Sequence, residues 1–199
     1  MPKLIIGFMA SHGGSNMQAI IDAIKSGKID AEAACLISNN SNSGAMERAA
    51  KEQIAHYHIS SKTHSEPEAQ DQAIIDAFKK HNVNIIVLAG YMRKLSSRII
   101  REWQGRILNI HPALLPAFGG KGMWGMNVHK AVIAAGEEES GATVHIVDEQ
   151  FDHGRILEQM EVSVMPDDTP EILAARVLEK EHKLYPLVLA QISEGLIEL

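Results

Sequence analysis

Short apolar runs alternate with amphipathic stretches along most of the chain. Residues 3–9 read as a strand. A polar, glycine-rich stretch, Ala10-Ser-His-Gly-Gly-Ser-Asn16, follows it. Met17, Ile20, Ile21 and Ile24 then recur at helical spacing until Lys25-Ser-Gly27 closes the helix with a base and a glycine. The pattern continues with a strand over 33–37, a polar turn over 38–44, a helix over 45–53 and a short strand over 55–59. Glu66-Pro67 opens a helix reaching about Lys80, with proline in the first turn where its missing N–H does no harm. Residues 83–89 are almost all apolar, as the middle strand of a parallel sheet is. Ser96 or Ser97 caps a short helix through Trp103, and a strand over 106–110 follows. Residues 127–135 form a helix closed by Gly136, 141–147 alternate as a strand with one polar face, and 155–164 form the last strand. Thr169-Pro170-Glu171 starts a closing helix carrying Ile172, Leu173, Val177, Leu178 and Leu184, and Pro186 predicts a kink or break. Residues 117–126 have too little periodicity for either element and read as an irregular connection or a mobile loop over a site.

Strands alternating with helices predict a doubly wound α/β fold with helices on both faces. Right-handed crossovers gather the strand C-termini at one edge. Without repeats or linkers, the 199 residues are expected to form one domain. No apolar run approaches the roughly 18 residues that span a membrane. The Met-Pro-Lys start lacks the apolar core of a signal peptide, so a cytoplasmic protein is expected. The net charge of −6 argues against a nucleic-acid footprint but leaves small anions open. Cys35, the only cysteine, lies in an apolar run and reads as a core residue. His56, His58, His64 and His81 fall in polar stretches and read as surface residues.

Candidate chemistry centres on Arg106-Ile-Leu-Asn109-Ile-His111-Pro112. Residues two apart on a strand share a face, so Asn109 and His111 present an amide and an imidazole side by side before proline turns the chain. The carboxyl end of a parallel strand is where such sheets hold ligands. Imidazole titrates near neutrality, and an amide can hold a developing oxyanion. An imidazolium needs a carboxylate nearby, and Asp148, Glu149 and Asp152 are the candidates in the acidic loop. Gly13-Gly-Ser-Asn16, between strand and helix, suits an anion on the free N–H groups of the first turn; the alternative is a turn with Ser15 capping the helix. No nucleophile elbow and no metal-spaced histidine pair is present, so the inferred chemistry is proton transfer with oxyanion stabilisation, with no metal.

The chain resembles the folate-dependent glycinamide ribonucleotide formyltransferases. The resemblance rests on Gly14-Ser15-Asn16-Met-Gln-Ala-Ile, Leu88-Ala-Gly-Tyr-Met-Arg93, Leu108-Asn109-Ile-His111-Pro112 with Leu114-Leu-Pro116, and 141–147 with His145. Asp152-His-Gly154, Glu181-His182 and Tyr185-Pro186 complete it. It implies a Rossmann-like sheet with antiparallel strands in the C-terminal half. It also implies a phosphate-binding half over about 1–105 and a catalytic, folate-binding half over about 106–199.

The resemblance implies formyl transfer from 10-formyltetrahydrofolate to the amine of phosphoribosyl-glycinamide. Asn109, His111 and Asp152 would be catalytic, with Asp152 steadying the imidazolium. Gly14, Ser15 and Asn16, with Leu178, Glu179, Lys180 and Glu181, would bind the phosphoribosyl substrate. Met92, Arg93, Lys94, Leu95 and Asn109, with Asp148, Glu149, Gln150, Phe151 and Asp152, would bind folate. The implied partners are small molecules, with neither nucleic acid nor membrane, for a monomer or homodimer. Pro67 stands where many members carry Arg, and the stretch 119–126 is longer than the family's usual turn. A formyltetrahydrofolate hydrolase would be expected to carry an added N-terminal domain, and a methionyl-tRNA formyltransferase a C-terminal one. A non-catalytic binder on the same fold is the rival of another class.

Overall fold

The computed structural model describes residues 3–199; Met1 and Pro2, on which the reading of the N-terminus partly rests, lie outside the described residues. The elements are β1 (Leu4–Ala10), α1 (Ser15–Lys25), β2 (Ala31–Ser38), α2 (Gly44–Lys51), β3 (Ala55–His58), α3 (Pro67–Lys80) and β4 (Ile85–Leu88). They continue as α4 (Ser97–Glu102), β5 (Ile107–His111), α5 (Met126–Ala135), β6 (Glu139–Ile146), β7 (Ile156–Ser163) and α6 (Pro170–Ser193). One seven-stranded sheet has the order β3-β2-β1-β4-β5-β6-β7. The first five strands pair in parallel, and β6 and β7 are antiparallel.

Strand alternation divides the core. Ile6, Phe8, Ile85, Val87, Leu108 and Ile110 face a cluster with Met17 and Ile20 of α1, Val128 and Val132 of α5 and the apolar side of α6. Met9, Ile86, Leu88 and Ile107 face the other side, against Ile74 and Phe78 of α3 and Ile99 of α4. Both faces are covered, which is why the central strands read as continuous apolar runs. Cys35 is fully buried, as expected, and burial pushes its thiol up to about 12.

Three expectations need correction. The closing helix does not break at Pro186; α6 runs unbroken through Ser193. An interior proline costs about 3 kcal/mol. Leu184, Tyr185, Val188 and Leu189 around it are fully buried, each contributing roughly 1.5–3 kcal/mol, so packing outweighs the break. The strand expected over 83–89 is shorter, Ile85–Leu88, although Asn84 N–H and Ala89 N–H still donate to the Ile5 and Met9 carbonyls of β1 at 3.0 and 2.8 Å. Of the four histidines read as surface residues, only His56 is exposed; His81 bonds to the Tyr57 hydroxyl at 2.8 Å and His58 to Ser60 at 3.0 Å.

The turn after β5 is pinned from β6. The buried Thr143 hydroxyl donates to the Ala113 carbonyl at 2.6 Å and accepts from Leu115 N–H at 3.0 Å and Gln159 Nε2 at 2.8 Å. Valine has the same shape but neither donates nor accepts. Thr143→Val is expected to cost about 3 kcal/mol by orphaning buried backbone groups. A urea midpoint equal to wild type would contradict this.

Candidate active site

The chain leaves β1 into α1 on one face of the sheet and leaves the adjacent β4 towards α4 on the other. Such a switch point opens a crevice at the strands' carboxyl edge. Buried Ser11 ties the two loops: its N–H donates to the Gly90 carbonyl at 3.0 Å, and its hydroxyl accepts from Met92 N–H at 2.8 Å.

On the β1 side, Gly14 occupies the N-cap of α1 at φ 69° with no side-chain cap. Ser15 begins the helix and does not cap it. The first-turn N–H groups thus stay open to an external acceptor. Gly14 has no room for a Cβ, which would sit 2.7 Å from that of Ala45. Asn16 is buried, donates through Nδ2 to Glu181 Oε2 at 2.6 Å, and its Oδ1 is unpartnered. Glu181 is 8% exposed, and burial pushes its carboxyl up to about 7, against the opposing Asn16 hydrogen bond. Leu178 and Glu179 are exposed and Lys180 half-buried on the preceding turn of α6; among the described residues, none has a side-chain hydrogen bond to this cradle.

Glu181 sets a pH dependence. The folded protein holds this proton up to about pH 7, whereas a carboxyl at 4.5 in the unfolded chain releases it earlier. Its stabilising contribution is therefore complete below pH 4.5 and is lost as pH rises to about 7. The loss amounts to about 3 kcal/mol, and Glu181→Gln is expected to abolish it. Urea midpoints between pH 4 and 8 check this; parallel curves for the two proteins would contradict it.

Two strands away, about 10 Å at normal strand spacing, lie Asn109 and His111. They share the Ile107 face of β5, as strand parity requires. His111 is 3% exposed. Its Nε2 lies 2.8 Å from the Phe118 carbonyl, which can only accept, so Nε2 carries a hydrogen. Protonation then takes place at Nδ1, which faces Asp152 Oδ2 at 3.6 Å. Asp152 Oδ2 also accepts the Gly120 N–H at 2.9 Å. The other carboxylate oxygen lies 3.6 Å from His145 Nε2. At 3.6 Å neither approach is a hydrogen bond, and a small movement or a bound atom would be needed to connect Asp152 to His111 Nδ1.

His145, one of the residues that carry the resemblance, joins this group. In the antiparallel pairing it stands opposite Asn109. Its Nδ1 lies 2.9 Å from the Ile146 carbonyl, and its Nε2 lies 3.1 Å from Asn109 Nδ2. Burial pushes this imidazole below its usual range, against the Ile146 carbonyl and the charge of Asp152. A neutral ring with hydrogen on Nδ1 accepts one amide hydrogen of Asn109 and leaves the other free.

Asp152 sits on a strained return to β7. Its φ is 58°, and two residues later a Cβ on Gly154 would lie 1.8 Å from the Ile146 carbonyl oxygen. Of the acidic-loop candidates, only Asp152 reaches the imidazoles; Asp148 accepts the Gln150 N–H, and Glu149 pairs with Arg101 at 3.7 Å.

A cleft of about 590 Å³ opens onto this group, within the range of small-molecule sites. All ten residues expected on the folate side line it, from Met92, Arg93, Lys94 and Leu95 to the loop ending at Asp152. The Lys94 ammonium lies 5.2 Å from the Phe151 ring centroid. The irregular segment also lines it, through Lys121, Met123 and the exposed Trp124. Pro67 starts α3 and does not line the cleft.

Residues 4–189 match the family model described as formyl transferase. The chain is 40% identical over 195 residues to the chloroplastic phosphoribosylglycinamide formyltransferase of Arabidopsis thaliana, covering 97% of this chain and 66% of that one. It thus spans about two thirds of that plant relative. It is also 40% identical to the phosphoribosylglycinamide formyltransferase of Haemophilus influenzae, covering 98% of this chain and 89% of the relative. The crystal structure of glycinamide ribonucleotide transformylase 1 from Symbiobacterium toebii superposes with a TM-score of 0.92 at 33% identity, covering 99% and 91% of the two chains.

Proposed function

The chain belongs to the formyl transferase family, and from that premise we propose that it moves the formyl group of 10-formyltetrahydrofolate onto the amine of N1-(5-phosphoribosyl)glycinamide, a step of purine biosynthesis. One observation carries this reading. An open helix N-terminus suited to a phosphate, after β1, and an amide–imidazole–carboxylate group, at the end of β5 two strands along, share one sheet edge, with a cleft opening onto the latter.

The phosphate lies on Gly14, Ser15 and Asn16, with Glu181 towards the ribose. The folate lies in the cleft. The substrate amine attacks the formyl carbon, and the carbonyl oxygen becomes an oxyanion. The free amide hydrogen of Asn109 and the Nδ1 hydrogen of protonated His111 bond to it. Asp152 stabilises the imidazolium. Collapse breaks the bond to folate N10, and the proton lost by the amine ends on that nitrogen, giving the N-formyl product and tetrahydrofolate. No covalent intermediate on the protein is required.

The test is an absorbance assay of 10-formyltetrahydrofolate consumption with the phosphoribosyl amine, and separately with water alone. Consumption that depends on the amine is expected. Equal loss without it would make the protein a hydrolase, and no loss would make it a binding protein.

A further inference from the structure

The loop between β1 and α1 is held from behind by α2, and the contacts fall on consecutive peptide groups. Ala45 N–H donates to the His12 carbonyl at 2.9 Å. One turn on, Arg48 Nε–H donates to the Gly13 carbonyl at 2.9 Å. Ala45 and Arg48 are three apart on α2 and share a face. A trans peptide points its C=O and N–H in opposite directions. Drawing both carbonyls towards α2 therefore turns the N–H groups of Gly13 and Gly14 away from α2. Successive N–H groups turned to one side form a concavity for an anion. Packing reinforces the arrangement, because Gly14 closes on Ala45 with no space for a side chain, and a Cβ on Gly44 would lie 3.2 Å from the Gly13 carbonyl oxygen.

We propose that Arg48 is a positioning residue for the phosphoribosyl substrate: its Nε–H on the Gly13 carbonyl aims the Gly13 and Gly14 amides at the phosphate. It acts through the loop backbone and touches no reacting atom. The guanidinium also reaches Gln18 Oε1 at 3.4 Å, which steadies the side chain from α1. The inference rests on the phosphate-side reading above and adds the part that α2 plays in it.

Glutamine places its Nε2 the same number of bonds from the backbone as arginine places Nε. Arg48→Gln thus keeps a donor for the Gly13 carbonyl and removes the charge, whereas Arg48→Met removes both. The probe is ribose 5-phosphate, titrated by calorimetry, with its amide shifts followed by NMR. Arg48→Met is expected to weaken binding about tenfold. It should raise KM for the phosphoribosyl substrate by the same factor, with kcat, KM for 10-formyltetrahydrofolate and the thermal midpoint unchanged. Arg48→Gln should restore most of the affinity, and the Gly13 and Gly14 amides should shift on binding in wild type. Equal weakening in both variants would assign the effect to charge and overturn the clamp. Wild-type affinity in Arg48→Met, or a lowered midpoint with both KM values raised, would also overturn it. If wild type binds ribose 5-phosphate but fails to formylate the amine, the proposed function fails and the clamp stands.

Discussion

His111→Ala is expected to lower turnover about 10²- to 10³-fold, the usual effect of losing one oxyanion donor. The imidazole is almost wholly buried and anchored through Nε2 to Phe118, so Nδ1 alone faces the reacting group. Alanine leaves no donor and no proton store on that side. Asn109→Ala removes the other donor and should fall in the same range. The phosphate side is two strands away and independent, so KM for the phosphoribosyl substrate and the affinity for ribose 5-phosphate should hardly change. Single-turnover rates at saturating substrates check this. Turnover within tenfold of wild type in either variant would remove the oxyanion mechanism.

Asp152→Asn is expected to reduce turnover by about 10³, within the span attributed to acid–base assistance. The substitution is nearly isosteric. An amide oxygen can still accept the Gly120 N–H, so the loop should keep its course. What disappears is the negative charge between His111 and His145, 3.6 Å from each ring. Without it, the charged form of His111 loses its counter-ion. The defect should lie in kcat, because the charge facing His111 Nδ1 is lost while the loop contact to Gly120 is kept. Single-turnover rates measure this, and a variant with wild-type kcat would show that the carboxylate is dispensable.

The sequence was informative where the determinant is local. The parity of Asn109 and His111 needs only the period of a strand, and the order of strand, glycine loop and helix around Gly14 needs only neighbouring residues. The role of His145 depends on the register of two strands whose residues are 36 apart, fixed by a pinned turn and not by nearby sequence. Arg48 could not be found because its partner is a carbonyl, and side-chain patterns do not show where a backbone oxygen points. Pro186 does not break α6 because the buried residues around it hold the helix together, a tertiary effect that a local helix breaker does not reveal. Residues 120–125, in a stretch with no period to read, line the cleft.

The tight return at Gly154 restricts how the 148–152 side of the cleft can be redesigned. A methyl group there would have to push the chain off Ile146, and the carboxylate two residues earlier would move with it. A combinatorial library aimed at new pterin analogues should therefore hold 152–154 fixed and diversify Glu149, Gln150 and Phe151, exposed positions that line the cleft. Clones recovered with side chains at Gly154 are expected to be folded but chemically silent.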